Sequence, residues 1–149
     1  MSREPVIGPE TATLRGLPSR RGADASRMAR TEAVDEAALT LAHRVVELAS
    51  DKKASDIVLL DVRAQTSMAD YFVICSGASD RQLGAIADGI IEGAKDAGIT
   101  PIGREGAAGS RWLLIDFGSV IVHVMSVPER EYYQLEKLWS DAALLLHVL

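Results

Sequence analysis

Two polar side chains stand in otherwise apolar stretches near the C-terminus: Asp116 in Trp112-Leu113-Leu114-Ile115-Asp116-Phe117, and His123 in Val120-Ile121-Val122-His123-Val124-Met125. A carboxylate and an imidazole can move protons, but catalysis also needs a nucleophile or second acid within hydrogen-bond reach. No Ser, Cys or paired acid has a spacing that places it beside the His123 ring. Gly118-Ser119 suits a two-residue type II′ turn, which pairs Phe117 with Val120, Ile115 with Val122 and Leu113 with Val124. Because side chains alternate, that face is wholly apolar and belongs to a core. The opposite face gathers Trp112, Leu114 and Asp116 with Ile121, His123 and Met125. Such a face is either the centre of a protein-docking patch, where Trp and Met are enriched, or a surface under a helix with His123 and Asp116 satisfying one another at its edge. The exposure of Trp112 separates the two.

Other candidates carry less chemistry. Cys75 lies mid-strand among Tyr71, Val73 and Ile74 and reads as a buried small hydrophobe. Histidines 43, 123 and 147 are far apart and lack metal-ligand spacing, so neither a metal nor a cofactor is expected. Ser76-Gly77-Ala78-Ser79 has no Lys-Ser/Thr or GxGxxG pattern, and a capping role accounts for Ser79. Tyr132, Leu135, Leu138 and Trp139 fall at helical spacing and read as packing.

The elements that must position these residues follow from patterning in a chain of 149 residues, enough for one compact domain. Hydrophobic residues make up 48%, and no run approaches the eighteen or so apolar residues of a membrane span. One cysteine excludes an internal disulfide, and the cytosol is the expected compartment. Charge divides the chain: residues 1–30 carry six Arg against three acids, whereas residues 31–149 carry ten basic and eighteen acidic groups. An acidic domain repels phosphate at long range and favours a basic protein partner. Residues 1–31, with Ile7-Gly8-Pro9 and Gly16-Leu17-Pro18 and no apolar period, read as a flexible extension ahead of a domain over 32–149.

Val34, Ala38, Leu41, Ala42, Val45 and Leu48 recur at three and four and predict a helix over 32–49. Continuous apolar runs over 55–62 and 70–76 predict central strands covered on both faces. Ser79-Asp80-Arg81-Gln82 fits a capping box that opens a helix over about 80–97, ended near Gly98. Glycines 103, 106 and 109 predict a mobile loop, followed by the two hairpin strands over 111–117 and 120–127. Pro128 opens a short helix through about 138, and the apolar tail over 142–149 docks as a strand or short helix. The sum is an α/β domain: a mixed sheet of about five strands flanked by helices.

The same residues carry a resemblance. Asp56-Ile57 with Leu60-Asp61-Val62, Asp70 through Gly77, Ser79-Asp80-Arg81-Gln82, Ala87-Asp88, Gly103 with Glu105-Gly106, Trp112, Asp116-Phe117-Gly118, Val120 through Met125, and Tyr133 with Leu135-Glu136 and Leu138-Trp139 stand in an order that closely resembles the ribosomal silencing factor family, also called Iojap-like proteins. The likeness covers residues 34–141. It implies a cytosolic factor that binds the large ribosomal subunit at ribosomal protein L-fourteen and prevents the small subunit from joining, without catalysis. Family members commonly form homodimers, and some organelle relatives are tied to large-subunit assembly.

The family fold is also similar to that of nucleotidyltransferases, whose chemistry needs two strand carboxylates to hold divalent metal. Here the corresponding strand reads Asp116-Phe117-Gly118, without the second acid, so a nucleotidyltransferase-like topology is expected without its catalytic pair. Taken with the hairpin face, the resemblance points to Trp112, Asp116 and His123 as partner-binding residues, with Glu105 and Gly106 on the adjoining loop and Met125 as packing support. Arg130 and Tyr133 extend the patch from the next helix. The Arg-bearing extension is expected to touch ribosomal RNA phosphate and add salt-sensitive affinity.

Overall fold

A computed structural model describes residues 25–106 and 109–149. Six strands form one mixed sheet: β1 (Ser55–Asp61), β2 (Tyr71–Gly77), β3 (Gly103–Glu105), β4 (Trp112–Asp116), β5 (Val120–Ser126) and β6 (Ala143–Val148). Their spatial order is β3-β4-β5-β2-β1-β6, with β2 and β5 parallel and every other neighbouring pair antiparallel. Both parallel strands are buried along their whole length, as continuous apolar runs require.

Helices α1 (Ala25–Asp51) and α2 (Asp80–Asp96) cover one face. Ala38, Leu41, Ala42, Val45, Leu48 and Ala49 form the buried stripe of α1, while Val34 at its outer end is exposed. Leu83, Ile86, Ala87 and Ile90 form that of α2, and both stripes meet Leu59, Val73, Cys75, Ile115, Val122 and Val124 in a single core. Ser79 caps α2 by accepting from Gln82 N at 3.1 Å, and Gln82 Oε1 accepts in turn from Ala78 N. Helices α3 (Val127–Tyr133) and α4 (Leu135–Leu138) lie on the other face, over a second core built around Phe72, Ile74, Ile121 and Met125.

Three expectations are corrected. The sheet has six strands, because Gly103–Glu105, expected within a loop, pairs with β4; all three residues are exposed, so no apolar period marks them. Residues 25–31, expected in the extension, belong to α1; residues 1–24 lie outside the described residues. The helix expected from Pro128 to about 138 is two pieces, because Gln134 adopts a left-handed φ of 48° and interrupts it.

The hairpin register is as the turn requires. Phe117 N donates to Val120 O at 2.9 Å, and Ile115 faces Val122. Gly118 has φ +89°, the left-handed first position that a type II′ turn demands. Between the two long helices, Gly93 sets the spacing: a Cβ there would collide with the Leu48 side chain. Gly93→Val therefore overpacks the α1–α2 contact and is expected to cost about 2 kcal/mol, a drop in melting temperature of roughly 4–8 °C read by thermal denaturation.

Candidate functional site

The mixed face of the hairpin divides between core and surface. His123 and Met125 are fully buried, Leu114 and Ile121 nearly so, and Trp112 at the strand end is half-buried. Leu135 and Trp139 cover the interior of this face, and Phe72 packs edge-on against both Trp139 (4.9 Å between centroids) and His123 (5.2 Å). A helix thus covers most of the face, and only its rim is open.

His123 does not meet Asp116. Its Nδ1 accepts the Trp112 Nε1–H at 3.1 Å, which places the proton of the neutral imidazole on Nε2. That Nε2–H is buried and meets no hydrogen-bond partner among the described residues. Burial pushes the His123 pKa down to about 3, so the ring is neutral at physiological pH. Asp116 is spent elsewhere: its Oδ1 accepts from Gly118 N at 2.7 Å and braces the turn.

Arg130, expected to extend a surface patch, is buried. Its Nη1 donates to Ser76 Oγ at 2.9 Å, and its Nε and Nη2 donate to Glu136 Oε2 at 2.8 and 2.6 Å. The guanidinium therefore clamps α3 and α4 to the end of β2. Ser126 starts α3 by accepting from Glu129 N at 3.2 Å, with Pro128 in the first turn. The break at Gln134 then shifts the helical phase. Leu135 and Trp139 turn inward, while Tyr132 and Leu138, which share their sequence spacing, stay exposed.

The result is an aromatic shelf. The Tyr133 ring lies 4.9 Å from Trp112, and Tyr132, 79% exposed, stands perpendicular to Tyr133 at 4.9 Å. Tyr132 is the surface residue that sequence patterning assigned to packing; the Gln134 break, the feature that frees it, has no marker in composition. Glu105 is exposed on β3 and pairs with Leu114, one strand from Trp112. Gly106 is explained by its backbone: φ is +106°, and a Cβ would come within 2.6 Å of Leu113 Cδ2 and 3.0 Å of Trp112 O. Of the expected partner-binding residues, Trp112, Tyr133, Glu105, Gly106 and the half-buried Asp116 reach the surface; His123, Met125 and Arg130 do not.

An open groove of about 590 Å³ between α2 and β3–β4 is flanked by Arg104 paired with Asp88 at 2.9 Å and Arg111 near Asp80 at 3.6 Å. Among the described residues no three His, Cys, Asp or Glu side chains are grouped to hold a metal ion. Burial raises the Cys75 thiol to about 12. No described helix is long and apolar enough to cross a membrane.

Fold and site together define a mixed-sheet α/β domain with an aromatic shelf at one rim of its sheet. Residues 35–147 match the family model described as "Ribosomal silencing factor during starvation". The chain belongs to the ribosomal silencing factor family. It is 50% identical over 94 residues to ribosomal silencing factor RsfS of Bacillus subtilis, covering 63% of this chain and 80% of that one. It is 36% identical over 99 residues to the mouse protein named "Mitochondrial assembly of ribosomal large subunit protein 1", covering 64% of this chain and 43% of the mouse protein. A crystal structure of a Chromobacterium violaceum protein superposes with a TM-score of 0.67 at 35% identity, over 68% of this chain and 85% of that one.

Because His123 is neutral when folded and protonates near its ordinary value of 6.5 when unfolded, the unfolded state binds the extra proton below that pH. Stability present above pH 6.5 is thus lost as the pH falls toward 3, by up to about 1.4 kcal/mol per pH unit from this group. Denaturant titrations across that window should show a shallower slope for His123→Asn than for the parent.

Proposed function

We propose that this protein silences translation by obstruction: it docks on the large ribosomal subunit at ribosomal protein L-fourteen, on the face that meets the small subunit, and keeps the subunits apart when nutrients are short. The observation that carries the reading is the aromatic shelf of Trp112, Tyr133 and Tyr132 on a folded part, residues 25–149, with eighteen acidic against twelve basic groups. Rigid aromatic side chains supply much contact area at low entropic cost, and they dominate docking energetics. Net negative charge favours approach to a ribosomal protein, whose surface is basic because it lies against RNA phosphate. The names of the relatives, which speak of ribosomal silencing, support a ribosomal partner.

In this reading Trp112 and Tyr133 anchor, Glu105 and Asp116 supply the charged rim, and Gly106 shapes the adjoining backbone. His123, Met125 and Arg130 act from inside. No cofactor takes part, and the factor works in the cytoplasm. The free protein is a homodimer; the outer strand β6, with Leu144 and Leu145 exposed, offers it an apolar edge. A second reading, a large-subunit assembly factor, is favoured by the name of the mouse relative. Polysome profiles separate the two: assembly loss leaves precursor particles even in rich medium, whereas loss of silencing alters subunit joining in starvation alone.

Trp112→Ala is expected to cost about 2 kcal/mol of binding, roughly 30-fold in affinity, in co-sedimentation of the folded variant with purified large subunits. In the same assay, saturating parent protein should hold added small subunits apart from large ones, and normal joining at that dose would end the proposal. Removing residues 1–24 takes away Arg3, Arg15, Arg20 and Arg21 and leaves α1 whole. If those arginines touch RNA phosphate, the truncation lowers the slope of log affinity against log salt; an equal slope excludes the contact.

A further inference from the structure

We infer that His123 is the positioning residue of the docking surface: from inside the sheet face it holds the Trp112 indole by its N–H and presents the ring in its bound orientation before a partner arrives. The inference rests on the docking role of Trp112 proposed above.

A half-buried indole at the end of a strand has one polar atom, a donor, and that donor must go either to water or to an acceptor within the protein. Here it goes inward, to His123 Nδ1 at 3.1 Å. The two rings lie 5.9 Å apart with planes inclined at 52°, and Tyr133 closes on Trp112 from α3 at 4.9 Å. Trp112 is therefore held on two sides, with its indole N–H turned inward to His123. A partner meets ring face and edge and has no indole N–H to satisfy.

The placement of His123 has no other explanation among its neighbours. The ring is fully buried beside Phe72, and among the described residues the only hydrogen bond it makes is the one from Trp112, with Nε2 unpaired. An aliphatic residue would fill that space without leaving a polar atom stranded. What an imidazole adds is an acceptor for the indole, and burial keeps it an unprotonated acceptor at neutral pH. Fixing a rotamer in advance removes an ordering cost from association, so the benefit appears in affinity and not in folding.

The test uses the full chain carrying Trp139→Phe, which leaves Trp112 as the sole tryptophan. His123→Leu keeps bulk and deletes the acceptor; His123→Asn returns an acceptor oxygen near the Nδ1 position. In His123→Leu the Trp112 emission is expected to move to longer wavelength as the indole turns to water. Affinity for purified large subunits should fall about tenfold with the melting temperature equal to or above that of the parent. Asn should restore both emission and affinity. A purely structural histidine predicts the opposite: lower melting in the Leu variant, and parental affinity in the folded fraction of the Leu and Asn variants alike; that result overturns the inference. Should Leu prevent folding, His123→Phe takes its place with the same readouts. Trp112→Ala run in parallel keeps the two proposals apart. Parental affinity in Trp112→Ala removes the docking reading and this inference together, whereas weak binding there with parental affinity in His123→Leu removes this inference alone.

Discussion

The turn at Gly118-Ser119 sets the register on which the rest of the molecule depends. Asp116 Oδ1 and the Phe117–Val120 backbone pair close it, and the Ser119 carbonyl accepts from both Asp70 N (2.8 Å) and Tyr71 N (3.1 Å). One turn therefore aligns β4 with β5 and β5 with the start of β2. A slip of one residue would exchange the two faces, placing Leu113, Ile115 and Val122 where Trp112, Asp116 and His123 now stand. The first core would lose its apolar floor and gain an ion and an imidazole with no partners there.

Covering the second face makes a different demand. The chain leaves β5 through the Ser126 cap and must lay a short, two-turn helix over a surface wide enough for Phe72, Ile121 and Met125. A continuous helix would direct Tyr132, Leu135 and Trp139 along one stripe. The left-handed Gln134 breaks that stripe, seats Leu135 and Trp139, and leaves the tyrosines at the edge. Arg130 secures the arrangement from within, its charge met by Glu136 and Ser76, so that an ion below the surface serves attachment and not recognition. The shelf is thus a by-product of how the helix is fastened.

This division of labour fits a domain whose proposed work is obstruction. Occlusion asks for a rigid body and an anchored rim, and the polar groups nearest the shelf are engaged in supplying them: Asp116 in the turn, Arg130 in the clamp, His123 beneath Trp112. Asp116, the strand carboxylate nearest the shelf, is held by a backbone amide of the turn. Family likeness and local chemistry therefore point in one direction.

From the sequence alone came the central strands, the α2 cap at Ser79, the hairpin register and the family, because each rests on local spacing: period 2, period 3.6, a turn dipeptide, an ordered set of motifs. Strand β3 was invisible, since its three exposed residues owe their conformation to hydrogen bonds from β4 and not to any pattern of their own. The start of α1 and the break at Gln134 were equally unmarked. Only the tertiary structure decided which polar residues face solvent. Trp112, Asp116, His123 and Arg130 carry the same chemical invitation in one dimension. Burial, an indole proton, a backbone amide and the two acceptors Ser76 and Glu136 determine which of them a partner can reach.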